Sequence, residues 1–339
     1  MLFAGITSIQ CSNSEDNDDT SNPVESTVYA AGREDYKAKY WKNGTAVLLG
    51  KGSGSSDVYG MAIVGDDVYN VGFEINANGK YVAKYWKNDV ATDLTDGSRD
   101  AYANDIFISG NDVYIAGQEM KAGETTYAAK YWKNGIAVNL TDEAQNVIAT
   151  GIAVVGNDVY VIGERRMQNW LTPVTCYWKN GQRSDLSNQT TTANDQDITV
   201  SGNDVYMMWS VAYNNSGQLQ TWYNKNLATP TLIQDGTSYA GGSSIAVKGN
   251  DVYIAGTGTL PNNQSLVSKY WKNGSPVTLG SDGSSGLSIN VSGEDIYVGG
   301  DQQVPGGGST AVYWKNGKAQ QITNGSGSGL IRQIFVKAK

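Results

Sequence analysis

The sequence predicts an all-β protein: a seven-bladed β-propeller with four-stranded blades, its ring closed by the C-terminal strand joining the first blade. Three observations carry this. A Tyr-Trp pair within "YWKNG" recurs about every 45 residues, at Tyr40/Trp41, Tyr85/Trp86, Tyr131/Trp132, Tyr177/Trp178, Tyr270/Trp271 and Tyr313/Trp314, with a degraded copy "TWYNKN" around Trp222. A "DVY"-like segment precedes each copy, at Tyr29, Tyr69, Tyr114, Tyr160, Tyr206, Tyr253 and Tyr297. An Ile-x-Val strand stands before blades two to seven, is missing before Tyr29, and returns as "IRQIFVKAK" at the C-terminus.

Each repeat supplies its four strands in order. "IFISGNDVY", "ITVSGNDVY" and "IAVKGNDVY" place apolar residues two apart and then turn through "GND" into the "DVY" strand. The Tyr-Trp strand follows, and "KNG" turns it into a fourth, such as "IAVNL" or "SPVTL". Four short strands joined by tight turns make a propeller blade. A blade cannot bury both faces alone, so Tyr and Trp on opposite faces of one strand fill the gaps to both neighbours. Ile334 and Val336 are expected to pair beside the strand of Tyr29, leaving no exposed edge.

Composition agrees and narrows function. The 339 residues are 40% hydrophobic and 17% charged, with 41 Gly and 21 Tyr but only 6 Pro, as many short strands and turns require. A net charge of −8 speaks against nucleic acid, whose phosphates need clustered Lys and Arg. No His is present, which removes the commonest general base and metal ligand. Cys11 and Cys176 stand in unrelated contexts and make no disulfide framework.

Residues 1–26 read as processing and tether, and 27–339 as the propeller. "MLFAGITSIQC" runs from an apolar segment to Cys11, and "SNSEDNDD" follows. This resembles a truncated bacterial lipoprotein signal with a lipidated Cys11 and the acidic export signal of surface lipoproteins in one Gram-negative phylum. The repeats lack the marks of WD-type, kelch and sialidase propellers. The chain from about 27 onward resembles bacterial surface-type lipoproteins with "DVY…YWKNG" propeller repeats. The resemblance implies a monomeric, lipid-anchored protein of the outer membrane or cell surface, touching the membrane only through its anchor, and it carries over no activity.

The loops after the second strand and between blades differ where the hairpin turns repeat, and in a propeller they share one face. "EDYK", "EINANGK", "EMKAGETT", "ERRMQNWLTP" and "VAYNNSGQLQ" occupy that place in successive blades. Two Trp residues break the repeat: Trp170 in the blade-four loop, and Trp209, which stands where the other blades place Gly32, Gly72, Gly117, Gly163, Gly256 and Gly300. With Arg165, Arg166 and Tyr213 they form an aromatic and hydrogen-bonding set suited to a glycan or protein ligand, unless Trp209 only fills the seam between blades four and five. Arg99, Tyr102 and Tyr239 are candidates to complete a pocket near the central channel.

Glu34, Glu74 and Glu119 recur opposite Lys39, Lys84 and Lys130, a pattern of cross-strand ion pairs repeated with the blade. Cys176 replaces that Lys in blade four, so Glu164 is expected to lack its repeat partner, to have a raised pKa and to be the one carboxylate to test for catalysis. The Asp-rich pieces "TDGSRD" and "GSDGSSG" allow calcium, yet neither matches the EF-hand loop and turn chemistry explains both. No cofactor is called for. The reading is a non-enzymatic binding or scaffold module. Its rivals are a carbohydrate lyase or glycosidase using Glu164 with Arg165, and a purely structural envelope protein.

Overall fold

The computed structural model describes residues 26–140, 146–166, 173–187, 191–213, 218–233, 237, 239–260, 265–324 and 327–338, without the side chains of 191–194 and 213. The described strands form seven four-stranded antiparallel sheets. The first strands of the sheets contact one another in turn around a closed ring and wall the central channel. Blade one takes its first strand from the C-terminus: Gly329–Lys337 pairs with Thr27–Glu34, setting Val336 opposite Val28 and Ile334 opposite Ala30. The ring closes as the sequence predicts.

The repeated words each have a physical task. In "KNG", Asn43 and Gly44 have φ of 48° and 79°, the left-handed pair that a two-residue hairpin needs. The Asn also ties two strands together. In blade two the Asn88 side chain accepts from the Val68 amide at 2.8 Å and donates to Asp67 at 2.7 Å. Lys87 completes the clip, 2.8 Å from Asp67 and over the ring of Tyr69. The clip recurs in blades three to seven with Asp112/Asn134, Asp158/Asn180, Asp204/Asn226, Asp251/Asn273 and Asp295/Asn316.

Six indoles, Trp41, Trp86, Trp132, Trp178, Trp271 and Trp314, are fully buried. Five of them share a core cluster with the "DVY" Tyr of the preceding blade: Trp86 with Tyr29, Trp132 with Tyr69, Trp178 with Tyr114, Trp271 with Tyr206 and Trp314 with Tyr253. Ring upon ring is the glue of these seams. Blade five departs from the pattern. Opposite Met207, where six blades place Trp, stands Asn224, and Trp222 sits two residues earlier, opposite Trp209. Trp222 is therefore not the seventh member of the repeat.

The Glu–Lys pattern is structural in blades one to three, with Lys39–Glu34 at 2.5 Å, Lys84–Glu74 at 3.1 Å and Lys130–Glu119 at 2.5 Å. Asp96 of "TDGSRD" takes hydrogen bonds from the amide and hydroxyl of Ser98, as turn chemistry requires. Cys176 is buried, and burial pushes its thiol up to about 12. Among the described residues no helix is long and apolar enough to cross a membrane.

Candidate functional site

The first strand of every blade carries a β-bulge, at the same height in six of them and one residue earlier in blade five. Against its neighbour, one residue is skipped in six blades: Arg332, Tyr59, Asn104, Thr150, Ser243 and Leu287. The reason lies across the strand pair. A Cβ added to Gly32, Gly72, Gly117, Gly163, Gly256 or Gly300 would come within 1.8 to 2.1 Å of a carbonyl oxygen of the first strand, so the bulge and the glycine require each other. In blade five Asn194 and Asp195 stand against Ser210, so the extra residue falls one position earlier and Gln196 pairs directly with Trp209. With the bulge displaced in this way, the position held by glycine in the other blades carries Trp209.

Trp209 is 3% exposed. It lies on the same face of its strand as Met207, which packs on Ala153 and Ile162 of blade four. A ligand cannot reach a ring so enclosed. Trp209 is thus a core residue of the seam between blades four and five, and its place among the ligand-binding candidates is corrected accordingly.

Six of the seven bulges meet in a cavity of about 410 Å³ at the mouth of the channel, lined by Tyr59, Thr150, Asp195, Ser243, Leu287 and Arg332 with Glu164, Arg166, Gln196 and Ile148. Glu164 and Arg166 end the second strand of blade four and Ile148 lies near the start of its first, so the cavity opens on the face of the variable loops. Repetition stops here. The six equivalent bulge positions carry Arg, Tyr, Asn, Thr, Ser and Leu, and the displaced bulge of blade five adds Asp195.

The lining is polar and knitted. Arg332 donates from Nε to Asp57 at 3.0 Å and its guanidinium lies 4.8 Å from the centre of the Tyr59 ring. Arg33 reaches the same Asp57 oxygen at 3.0 Å. Across the mouth, Arg166 donates from Nε to Glu164 at 2.8 Å, and Thr150 donates to Gln196 at 3.3 Å. Glu164 is therefore paired, contrary to the expectation from its missing Lys. Its carboxyl still lies above the ordinary range, because burial outweighs the Arg166 charge and the hydrogen bonds from Arg166 and Gln196. Desolvation by its surroundings also raises Asp195, although the residue itself is exposed, against the hydroxyl of Ser243 and the charge of Arg332.

Of the predicted site residues, Glu164 and Arg166 meet in this cavity. Arg165 points to the opposite side of its strand and grips Asp185 with two hydrogen bonds of 3.2 and 2.8 Å. Arg99 is held by Glu119 at 2.9 Å and by the Met120 carbonyl at 3.0 Å. Tyr102 belongs to an aromatic cluster with Phe73, Tyr81 and Tyr127, where burial raises its hydroxyl pKa. Tyr239 bridges to Leu219. None of these four is among the described residues lining the cavity. Trp170, Cys11 and the Tyr213 side chain lie outside the described residues. The bulge residues escaped the sequence reading, although in six blades they stand two residues before the Ile-x-Val motif and differ from blade to blade, with Asp195 of blade five three before.

No family model matches the sequence, and no curated protein matches it. Similarity to solved structures is a similarity of fold. A puromycin-hydrolysing peptidase of Mycobacterium tuberculosis matches with a TM-score of 0.56 and 11% identity, over 84% of this chain and 49% of the peptidase. An acylaminoacyl peptidase solved with Z-Gly-Gly-Phe-chloromethyl ketone matches at 0.52 and 11%, over 88% and 50%. The chain thus spans about half the length of these two peptidases. The β-propeller domain of the Trilobed protease from Pyrococcus furiosus matches at 0.50 and 13%, over 88% of this chain and 94% of that one. That domain is described as having an open velcro topology, whereas here the last strand closes blade one. The class is settled as a seven-bladed β-propeller with closed blades.

Proposed function

We propose that this propeller is a non-enzymatic binding module, held outside the cytoplasm by a lipid on Cys11, that takes a glycan or a protein segment in the mouth of its channel. One observation carries the reading: side chains that differ in every blade converge on one cavity, while the rest of the blade repeats. Its hydroxyls, amide, guanidinium groups and carboxylates offer donors and acceptors in several directions, as a polyhydroxylated or peptide ligand requires.

The test follows protein melting against a panel of polysaccharides, peptidoglycan fragments and peptides. A ligand at 100 times its Kd should add about 2.7 kcal/mol. The shift should vanish in the Asp195→Ala, Arg166→Ala double variant, and a hit that survives it overturns the assignment of the cavity. For the anchor, Cys11→Ser should move the protein from the membrane to the soluble fraction; unchanged fractionation rejects the lipid.

A second reading has one specific support: Glu164 and Asp195 line the same cavity with both carboxyls above the ordinary range, Glu164 buried and Asp195 exposed but partly desolvated, a feature of acid catalysts on glycans. Under it, Glu164→Gln abolishes turnover of the bound glycan and spares affinity. Recovery of the ligand unchanged after long incubation excludes it.

A further inference from the structure

The opposite end of the seam between blades four and five holds a second cavity, of about 290 Å³, lined by Tyr160, Lys179, Asn203, Val205, Met207, Asn224, Asn226 and Leu227. Asn203, Asn226 and Leu227 belong to hairpin turns, so this cavity lies toward the face opposite the channel mouth. It occupies the region that an indole fills in the regular seams. There a buried Trp covers the preceding blade's Tyr; here Asn224 stands in its place, and Tyr160, with Lys179 over its ring at 5.1 Å and Met207 in the cluster beside it, is left half-buried. Of the seven "DVY" tyrosines, Tyr160 alone is not buried.

Three further features fit a ligand. Asn224 is 4% exposed, and its Oδ1 is buried without a hydrogen-bond partner, a costly state for an amide oxygen. Met207, opposite it, offers an adaptable thioether that contacts aromatic rings well. Leu227 takes φ of 61°, where five other blades place a turn Gly, and sets an apolar side chain, 41% exposed, at the cavity's edge. A β-turn gains nothing from Leu at that position.

We propose that this seam is a binding site for an indole, or a flat aromatic group of similar size with a ring N–H, supplied free or as the Trp side chain of a partner protein. The ring would lie against Tyr160 and Met207, as the repeat's own indoles lie in the other seams, and its N–H would donate to Asn224 Oδ1. Five of the blades show in the same molecule how such a group packs on a Tyr ring or beside it. The inference does not depend on the channel mouth, whose ligand enters by the other face.

The probe is 5-fluoroindole, followed by ¹⁹F NMR with the whole chain, with unlabelled indole and N-acetyl-tryptophanamide as competitors. Saturable broadening is expected, reversed by excess indole. Asn224→Trp, which restores the residue of the other blades, should abolish binding. Asn224→Leu keeps the bulk and removes the acceptor, and should weaken binding about tenfold, equivalent to ~1.4 kcal/mol. Stronger competition by indole marks a free small molecule, and stronger competition by the amide marks a side chain. No broadening at millimolar probe, or binding unchanged in both the Trp and the Leu variants, overturns the proposal. Should Asn224→Trp fail to fold, Tyr160→Ala removes the opposite wall and is expected to lose binding as well.

Discussion

Six seams of this ring are built alike and one is not. In a regular seam a buried indole meets the preceding blade, whereas between blades four and five the aromatic mass has moved along the strand to Trp209 and Trp222, leaving Asn224 behind. The move has two structural correlates: a bulge displaced by one residue brings Asp195 into the channel mouth, and a cavity is left at the other end. A repeat protein can thus acquire individuality at both faces of one seam without changing strand number or ring closure. The lesson is that in a symmetric fold, departures from the repeat concentrate where packing is least repeated.

The largest expected break in the comparison is a regular indole. Trp132→Ala removes a fully buried ring and should cost about 3–5 kcal/mol, measured by denaturant unfolding. Asn224→Ala occupies the corresponding place in the odd seam and should cost about 1 kcal/mol or less, since its unpartnered oxygen contributes no hydrogen bond. Equal losses would show that the two seams are held in the same way.

Acid groups on the two sides of blade four give the next effect. Asp105 accepts from its neighbour Ile106 and from Ile152 of blade four, each at 2.8 Å, and Asp197 accepts in the same way from Ile198 and from Ile245 of blade six. Blade four has Gly151 in their place and no such clamp onto blade five. Burial pushes Asp105 up to about 7, with a further push from Asp197, and pushes Asp197 itself up to about 6. Because the folded values lie above the unfolded value near 3.8, their contribution is complete below that pH and is lost as pH rises through about 6 and then about 7. Stability should fall on the order of 2–4 kcal/mol between pH 4 and 8. The Asp105→Asn, Asp197→Asn double variant should start lower and show a flatter profile; an unchanged slope assigns the pH dependence elsewhere.

Architecture was legible because its causes are local and repeated. "KNG" and "DVY" are the two halves of one clip, the Trp marks a seam, and the missing first strand before Tyr29 announces closure. The site was legible only in part. Glu164 and Arg166 stood out as irregular loop residues, but the missing Lys said nothing of Arg166 as partner to Glu164. The bulge ring was harder to see, since a bulge shifts register by one residue and leaves the apolar alternation after it intact. Blade five misled for a related reason: "TWYNKN" keeps the letters of the motif with Trp two places early, and letters without register place a side chain in the wrong surroundings.

The smallest effect separates the two explanations of the odd seam most cleanly. Leu227 holds a left-handed backbone conformation that costs an L-residue about 1–2 kcal/mol, and a Gly there would give back part of this through its freer unfolded chain. Leu227→Gly should therefore stabilise the protein by about 0.5–1 kcal/mol, a rise of a few degrees or less in Tm. If the seam has merely drifted, nothing is lost in exchange. If Leu227 forms the edge of an aromatic site, the stabler protein binds 5-fluoroindole more weakly, and the strain is the cost of keeping that edge apolar. Gain in Tm with unchanged affinity would leave the cavity without Leu227 as a wall, whereas opposite changes in stability and affinity are what a built site produces.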